Sequence, residues 1–386
     1  MKKKLGDVFE IGSGGTPSKT HPEYYGGDIP WVKTGDLKSE YLYEVEDFIT
    51  EEGLNNSSAK MYESDTVLIA MYGATIGATS ILNFPACTNQ ACAAFKKSEE
   101  ILPEYLYFFL RSKKEKFVND GVGGTQPNIS AGYLKKVQIE VRSLDEQSEI
   151  INVLDKVNRI IDERTKELAA LDDLIKARFV EMFGDLMFNQ YNWPLVKIAD
   201  VSAFLKSGLS RKLSDVDIGL PVIRSGNIQN GQFIYGDVKY WYKEDPKGAK
   251  TEEYVLEDGD ILINFINSVS QIGKTAVYRD VGRKCIYTTN IFRMKLNDNC
   301  NECYYNWFAM SDYYYRQLQN IIQPAVNQAS FTTVNFLKLN IPLPPIELQN
   351  QFADFVNQVN KSKVEIQQAL EKTQLLFDSL MQQYFG

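Results

Sequence analysis

The segment Leu144-Asp145-Glu146-Gln147-Ser148-Glu149-Ile150 begins a stretch that contains neither proline nor glycine until Gly184. Apolar residues recur along it mostly at intervals of three or four positions: Ile150, Val153, Val157, Ile160, Leu168, Leu171 and Ile175. This spacing is typical of a coiled-coil seam, in which only a narrow stripe of each helix is buried. The sequence therefore predicts one long helix over residues 144–184.

A second stretch near the end of the chain repeats this design. It begins with Ile346-Glu347-Leu348-Gln349, directly after two prolines, and its seam residues are Phe352, Phe355, Val359, Ile366, Ala369, Leu376 and Leu380. Gln147 and Gln349 lie 202 positions apart, and Phe183-Gly184 precedes Phe385-Gly386 by the same separation. The chain is therefore a long internal repeat, and residues 345–386 are predicted to form a second long helix.

Each predicted helix follows a block of mixed character, residues 1–143 in the first half and residues 194–344 in the second. Short apolar runs such as Val67–Met71 and Ile261–Asn264 predict strands in both blocks. Each block also contains an aromatic-rich segment, which we interpret as a core helix rather than a base-stacking platform: residues 103–110 and 302–318. Each block is therefore predicted to be α+β.

Residues 185–193 alone separate the first helix from the second block. We expect the second helix to start near the point where the first ends, so that the two run antiparallel. The predicted fold is α+β, with two similar globular domains joined by two long antiparallel helices in a coiled coil. A pseudo-two-fold axis is expected to relate the two halves.

Composition restricts the function classes. The 386 residues include 42 Lys and Arg against 50 Asp and Glu, a net charge of -8 carried mostly by the two helical stretches. The chain is therefore not expected to coat nucleic acid by bulk charge, and its acidic helix faces are either solvated or dock a partner. We predict no signal peptide and no membrane span, and we interpret the five cysteines as reduced thiols of a cytoplasmic protein.

Motifs for catalysis or cofactor binding are weak. His21 is the single histidine, which argues against His-dependent triads and His-rich metal sites. Gly273-Lys274-Thr275 is similar to the end of a phosphate-binding loop, but Ser268 stands where that motif needs glycine. Gly12–Gly15 precedes no helix and is interpreted as a tight turn, and Cys300–Cys303 lacks a second cysteine pair. We expect no catalysis, cofactor or metal on this chain.

An ordered set of motifs resembles the type I restriction-modification specificity (S) subunits. The motifs are Gly14-Gly15-Thr16-Pro17-Ser18, Asp28-Ile29-Pro30-Trp31-Val32, Gly35-Asp36-Leu37, Met71-Tyr72-Gly73-Ala74-Thr75-Ile76-Gly77, Gly124-Thr125-Gln126-Pro127-Asn128-Ile129-Ser130, Glu181-Met182-Phe183-Gly184 and Pro344-Pro345-Ile346-Glu347-Leu348-Gln349. The second half departs more, because its first loop reads Ser207-Gly208-Leu209-Ser210. With the duplicated layout, the resemblance covers essentially the whole chain.

The resemblance implies that each block is a target recognition domain that reads one half of a bipartite DNA site. The paired helices would set the spacing and dock two methyltransferase (modification) subunits, which bind S-adenosylmethionine. Motor-nuclease (restriction) subunits would add ATP- and Mg-dependent translocation and cleavage. This chain would itself be non-catalytic, and the alternative is a stand-alone DNA-modifying enzyme, either a methyltransferase or a nuclease.

Candidate DNA-binding residues are polar or cationic side chains on predicted loops, since base edges are read by amides and guanidinium groups and phosphates by Lys and Arg. They are Lys33, Lys38, Tyr72, Gln126 and Asn128 in the first block, and Arg224, Asn227, Gln229, Asn267, Gln271, Lys274 and Gln328 in the second. Each of them is alternatively an ordinary surface or turn residue. Gln126 and Gln328 are equivalent in the repeat, so they alternatively share a structural role, such as bracing the block against its helix.

Overall fold

The computed structural model describes residues 1–121, 128–229, 231–324 and 328–386, which form two compact units. Unit 1 contains Met1–Lys166 and Gln367–Gly386, and unit 2 contains Glu167–Ile366. Each unit therefore combines a globular block with part of each long helix.

Unit 1 has short strands: β1 (Lys2–Lys4), β2 (Ile11–Ser13), β3 (Tyr25–Val32), β4 (Tyr41–Leu42), β5 (Phe48–Ile49), β6 (Met61–Tyr62), β7 (Val67–Ala70), β8 (Thr79–Leu82), β9 (Ala86–Thr88), β10 (Cys92–Phe95) and β11 (Gln138–Glu140). Its helices are α1 (Leu5–Val8), α2 (Glu51–Asn55), α3 (Pro103–Ser112), α4 (Lys114–Asp120), α5 (Ala131–Leu134) and the first part of α6 (Leu144–Phe183). Pro103 starts α3, where a missing N–H leaves no helical hydrogen bond unmade.

Unit 2 repeats much of this order. Its strands are β12 (Leu195–Lys197), β13 (Ser202–Ser207), β14 (Gly219–Ile223), β15 (Ile228–Gln229), β16 (Gln232–Phe233), β17 (Lys239–Tyr242), β18 (Ile261–Asn264), β19 (Ile266–Asn267), β20 (Thr275–Val277), β21 (Ile286–Tyr287), β22 (Ile291–Leu296), β23 (Gln323–Pro324), β24 (Ala329–Ser330) and β25 (Asn340–Pro342). Its helices are α7 (Ile198–Val201), α8 (Glu302–Phe308), α9 (Asp312–Gln319), α10 (Thr333–Leu337) and α11 (Ile346–Phe385), of which the last part belongs to unit 1.

The central strands of unit 1 are buried on both faces. The strands of its largest sheet lie in the order β2-β10-β7-β8-β4, and β7 pairs antiparallel with β10. Val67 and Ile69 pack in the core that contains α3, whereas Leu68 and Ala70 pack in a second core on the opposite face. This double burial explains why the strand is a continuous apolar run rather than an alternating one.

Unit 2 has the same central arrangement, with the strand order β13-β22-β18-β20. Ile261 and Ile263 face the core that contains α8, and Leu262 faces the opposite core. The strand after the first loop is also equivalent: β14 pairs parallel with β21, as β3 pairs parallel with β9 in unit 1. The internal repeat in the sequence is therefore a repeat of structure.

The long helices pair within each unit. In unit 2, Lys363 forms an ion pair with Asp172 at 2.5 Å, while Phe352 packs on Phe179 at 5.4 Å between ring centroids. The numbers fall on α11 as they rise on α6, so these helix segments are antiparallel. In unit 1 the beginning of α6 and the end of α11 share one core, and Nη1 of Arg164 donates to the carbonyl of Ala369 at 2.5 Å.

One buried glutamine fastens each long helix to its block. Gln147 and Gln349 are both 0% exposed. Gln147 accepts from the N–H of Leu102 at 2.9 Å and donates to the carbonyls of Glu100 (2.8 Å) and Arg142 (3.0 Å). Gln349 accepts from the N–H of Asn301 (2.9 Å) and donates to the carbonyls of Asn299 (3.2 Å) and Pro344 (2.8 Å). The repeated glutamine of the sequence is thus a structural residue in both halves.

The predicted α+β fold with two long helices is confirmed, and both helices end within one residue of the predicted bounds. The aromatic segments are core, as expected, since Phe108 and Phe308 are 0% exposed. The single helix predicted over 302–318 is wrong: Ser311 interrupts it, and its hydroxyl accepts from the N–H of Tyr314 to cap α9. The division of the chain into the five predicted segments stays a prediction.

Within the described ranges, every helix is too short or too polar to cross a bilayer. All five cysteines are free thiols rather than disulfide partners.

Candidate nucleic-acid interface

Several chain segments of unit 1 meet at one edge of its sheets. The N–H of Asn89 donates to the carbonyl of Val32 at 2.9 Å, and that of Met71 donates to Ala91 at 2.8 Å. Ile129 then donates to the carbonyl of Met71 at 3.0 Å. These bonds connect the segments that follow β3, β7 and β9 with the segment before α5. We call this row of loops the unit 1 edge, residues 33–38, 71–77, 88–91 and 128–130.

Unit 2 has an equivalent edge. The N–H of Thr288 donates to the carbonyl of Ile223 at 3.0 Å, and that of Phe265 donates to Asn290 at 3.2 Å. Phe331 donates to the carbonyl of Phe265 at 3.2 Å, which repeats the Ile129 bond of unit 1. The unit 2 edge comprises residues 224–229, 265–274, 287–290 and 328–332.

The predicted DNA-binding residues lie on these two edges. Lys33, Lys38, Tyr72 and Asn128 lie on the unit 1 edge, and Tyr72 bridges Asn128 through their backbones. Arg224, Asn227, Gln229, Asn267, Gln271, Lys274 and Gln328 lie on the unit 2 edge. Gln126 lies outside the described residues. The fold thus brings together, within each unit, side chains that are up to about a hundred residues apart in the sequence.

A capped turn begins each edge. After β3, Lys33 precedes a 3-10 turn over Thr34–Asp36, and its N–H donates to the Asp36 carboxylate at 2.7 Å. After β14, Arg224 precedes the turn Ser225–Asn227, and its N–H donates to Oδ1 of Asn227 at 2.8 Å. The φ and ψ angles are -110° and 163° at Lys33, and -119° and 167° at Arg224. The two turns are therefore the same local structure built from different residues.

Each of these cations forms an ion pair with an aspartate farther along its own block. Nζ of Lys33 lies 2.5 Å from Oδ2 of Asp47, and the Lys33 ammonium also lies over the Trp31 ring at 5.1 Å from its centroid. Nη2 of Arg224 lies 2.7 Å from Oδ2 of Asp237. Both cations are partly exposed, so each can exchange its carboxylate for another anion at the surface.

The first loop of each block packs tightly behind its edge. A Cβ on Gly14 would lie 1.8 Å from the carbonyl oxygen of Thr88, and a Cβ on Gly208 would lie 2.2 Å from that of Tyr287. Only glycine fits such an approach of two backbones. The tight turn predicted over Gly12–Gly15 is wrong: Gly12 lies in β2, and Gly14 lies in the irregular segment after it, against Thr88.

Asn227 has a structural role in the unit 2 edge. It is 4% exposed, and besides capping the turn its amide donates to the carbonyl of Ile234 at 2.9 Å. Asn227 therefore holds the turn in place from within the block. Gln229 is exposed, and its amide donates to Gly226 at 3.0 Å, so it lies at the surface of the same turn.

A cavity of about 530 Å³ opens on the unit 2 edge. Its lining combines cations, amides and hydroxyls: Leu209, Ser210, Arg211, Arg224, Ser225, Gly226, Asn227, Gln229, Ile234, Asp237, Thr288, Thr289 and Asn290. These groups offer both donors and acceptors, which is the chemistry that distinguishes base edges.

Arg211 of this cavity was not among the predicted residues. Its guanidinium donates to both carboxylate oxygens of Asp245, at 3.1 and 3.2 Å from Nε. Asp245 also accepts from the Trp241 indole N–H and from the N–H of Ala249. The hydrogen bond from Arg211 lowers the pKa of Asp245 well below its usual range. The pairing joins residues 34 positions apart, so no local sequence pattern could have indicated it.

The remaining predicted residues of unit 2 follow β18. Asn267 pairs with Ala329 through β19 and β24, and Gln271 and Lys274 lie in the turn that returns the chain to β20. A phosphate-binding loop leads into a helix, whereas this turn leads directly into the strand β20. Gln328 is exposed at the same edge.

Unit 1 contains a larger cavity, of about 1240 Å³, between the edge and the helix pair. Lys38 lines it together with Glu40, Arg111, Asp155 and other residues of α3, α6 and α11. Burial, and then the charge of Asp155, raise the pKa of Glu40 to about 7. Among the described residues no cluster of His, Cys, Asp and Glu suited to a metal is present. Each unit therefore has an equivalent edge, but the cavity beside that edge differs between the units.

The sequence is similar to one family along most of its length. The model of the type I restriction modification DNA specificity domain matches residues 1–172 and again residues 191–375. The two matches follow the internal repeat, one in each half of the chain.

Two specificity subunits are among the individual proteins to which this chain is similar. That of the type I restriction enzyme MjaIX from Methanocaldococcus jannaschii is 33% identical over 188 residues, 47% of this chain and 43% of that protein. That of EcoR124I/EcoR124II from Escherichia coli is 28% identical over 193 residues, 48% of each chain. In both cases the matched part spans less than half the length of the relative.

A solved structure shares the fold. A chain from work on complex assembly and conformational transition of the type I R-M system superimposes with a TM-score of 0.63. The match covers 100% of this chain and 97% of that chain, at 16% sequence identity. At this identity the likeness establishes the architecture alone.

Proposed function

This chain belongs to the type I restriction modification DNA specificity domain family, and we propose that it is the DNA-sequence specificity subunit of a type I restriction-modification complex. The observation that carries the proposal is the duplicated edge. Two units present equivalent rows of loops with cations, amides and hydroxyls, as a reader of two half-sites on one duplex requires.

Each unit is proposed to read one half of a bipartite target. The unit 1 edge would contribute Lys33, Lys38, Tyr72 and Asn128, together with Gln126. The unit 2 edge would contribute Arg224, Gln229, Asn267, Gln271, Lys274 and Gln328, and Arg211 through the cavity. Because the linings of the two edges differ, the two half-sites are expected to differ in sequence.

Catalysis is assigned to partner subunits. Two methyltransferase subunits, which would hold S-adenosylmethionine, are proposed to dock on the long helices, and restriction subunits would supply ATP- and Mg-dependent steps. The complex would act in the cytoplasm, where free thiols such as the five cysteines of this chain persist. A stand-alone methyltransferase or nuclease is the competing function.

The decisive experiment is adenine methylation mapping. The chain is expressed with its modification subunit in a host without other methylation, and methylated sites are read by sequencing. A bipartite, asymmetric motif is expected, with no methylation when either subunit is expressed alone. Methyl transfer by the isolated chain with S-adenosylmethionine would instead favour the stand-alone enzyme.

A second experiment tests whether the helices set the spacing between half-sites. One heptad is inserted after Leu168 and one after Leu370, which keeps the seam in phase and adds about 10 Å to each helix. The unread gap should lengthen by roughly three base pairs, at 3.4 Å per pair, while both half-site sequences stay the same. An unchanged gap would contradict this role of the helices.

A further inference from the structure

Lys33 and Arg224 occupy the same position in the two units, yet they differ in chemistry. Each follows the strand that pairs parallel with β9 or β21, and each caps a turn of the same geometry. Lysine is a point charge, whereas arginine presents a planar fork that matches two acceptors of guanine. The property common to both is a positive charge at one fixed place.

The anions already bound at these positions are also equivalent. Lys33 pairs with Asp47 at 2.5 Å and Arg224 with Asp237 at 2.7 Å. Asp237 is highly exposed, with 92% of its side chain accessible, so its ion pair gains little from burial. A backbone phosphate of DNA carries one negative charge, as the carboxylate does, but the neighbouring phosphates of the duplex add to the attraction for the cation.

The surface of both turns is open. Gly35 and Gly226 are the central residues of the two turns, and an added Cβ on either would meet no atom within 4 Å. Neither glycine has a positive φ. Neither backbone strain nor packing inside the chain requires glycine at these positions. Glycine at both positions therefore leaves room for another molecule to approach the backbone closely.

We propose that Lys33 and Arg224 are equivalent phosphate-binding residues. Each leaves its aspartate when DNA binds and contacts a backbone phosphate of its own half-site, and neither reads a base. The proposal rests on the proposed DNA-recognition function. It separates two residues that both units need for any DNA from residues, such as Arg211 of the unit 2 cavity, that are expected to act in one unit only.

The test is a salt series with the complete complex. The full chain with its modification subunit is titrated onto one duplex that carries the mapped site and onto one that lacks it. Lys33→Ala and Arg224→Ala should weaken binding to both duplexes by the same factor, about 3- to 10-fold. Each should also flatten the dependence of log K on log salt by about one unit, the effect of losing one phosphate contact.

Two further kinds of variant sharpen the test: those that keep the positive charge, and those that are expected to strengthen binding. Lys33→Arg and Arg224→Lys should stay within about twofold of the natural chain. Asp47→Asn and Asp237→Asn should strengthen binding to both duplexes, because each removes the competing carboxylate. The matched controls are Lys97→Ala and Lys295→Ala: these lysines pair with Asp65 and Glu257 at the opposite end of the central strands and should leave binding unchanged.

Two outcomes would overturn the proposal. One is a relaxed methylation motif at a single base pair with Arg224→Ala or Arg224→Lys, since that would mean base readout. The other is an unchanged salt slope in the alanine variants, with thermal melting intact. The titration of the natural complex on both duplexes tests the recognition function separately. If the natural complex does not prefer the mapped duplex, the proposed recognition function is wrong.

Discussion

The two edges are alike where the backbone turns and unlike where side chains line the surface. Lys33 and Arg224 start turns of similar backbone geometry, and Gly14 and Gly208 each lie close to a backbone carbonyl of β9 or β21. Beside these shared features, unit 2 has a cavity that Arg211 lines, whereas the large cavity of unit 1 lies against the helices. Under the proposed function, one scaffold would be kept for holding DNA while the residues that line it change with the sequence that is read.

The largest expected effect concerns the aromatic core of unit 2. Phe352 is 0% exposed and packs on Phe179, Phe183 and Trp307, whereas the equivalent position of unit 1 holds Ile150. Phe352→Ala should therefore cost about 4 kcal/mol of unfolding free energy, more than Ile150→Ala at about 3 kcal/mol. Urea denaturation reports both, with Trp31 as the tryptophan of unit 1 and Trp307 among those of unit 2.

Phe352→Leu is the matched control, because it keeps most of the buried volume and should cost less than half as much. Equal losses for Phe352→Ala and Ile150→Ala would mean that the two helix–block contacts are energetically the same despite their different side chains.

The second-largest expected effect concerns the buried glutamine that holds the long helix to the block in both units. Gln147→Leu and Gln349→Leu each remove three hydrogen bonds and leave buried backbone groups unpaired, so each should cost about 2–3 kcal/mol. Gln358→Leu, on the exposed face of α11, is the control and should be nearly neutral. If only one of the two glutamine variants loses stability, the contact between helix and block is not equivalent in the two units.

The long helices and central strands could be predicted because their signals are local. A stretch without proline or glycine and a 3/4 apolar spacing depend only on neighbours along the chain, and both helices end within one residue of the predicted bounds. The break at Ser311 was missed because the aromatic residues around it, such as Tyr305 and Tyr314, are apolar enough to suggest one continuous helix. The hydroxyl of Ser311 nevertheless caps a new helix at this point.

The candidate site was only partly predictable. Polar residues on loops identified the edges, because loops after adjacent strands gather at one side of a sheet. Burial of Asn227 and the pairing of Arg211 with Asp245 depend on contacts made by the folded chain. Such contacts have no spacing rule, so the sequence could not separate a residue that supports the edge from one that faces a ligand.

A smaller effect should appear in recognition by unit 2 alone. Asp245→Asn keeps the size of the side chain but removes the charge that holds the Arg211 guanidinium in the cavity. We expect a preference loss of about 10-fold at one position of one half-site, the scale of a single bidentate base contact. Methylation mapping measures it, and Asp258→Asn, at the exposed ion pair with Arg279, is the control. A change in both half-sites would argue against a unit-specific lining.

The smallest expected effect concerns Glu40, which has a raised pKa only because of its surroundings in unit 1. Burial, then the charges of Asp155 and Glu104, raise its pKa to about 7 in the folded chain, while Arg111 opposes them. An unfolded glutamate titrates near 4.5, so the folded state binds the extra proton between these values. As far as Glu40 is concerned, unit 1 should therefore be most stable at and below pH 4.5, and it should lose that contribution as the pH rises from 4.5 through 7.

Glu40→Gln removes this titration and should gain stability relative to the natural chain as the pH rises from 5 to 8. We expect a gain of about 1 kcal/mol, since Glu40 is partly exposed and solvent screens its neighbours. Urea denaturation at both pH values, followed by Trp31 fluorescence, measures the difference for unit 1. Glu99→Gln, at an exposed position of the same unit, should show no such gain. If Glu40→Gln is equally stabilising at both pH values, the carboxyl is not protonated in the folded chain, and the cavity of unit 1 is more hydrated than its lining suggests.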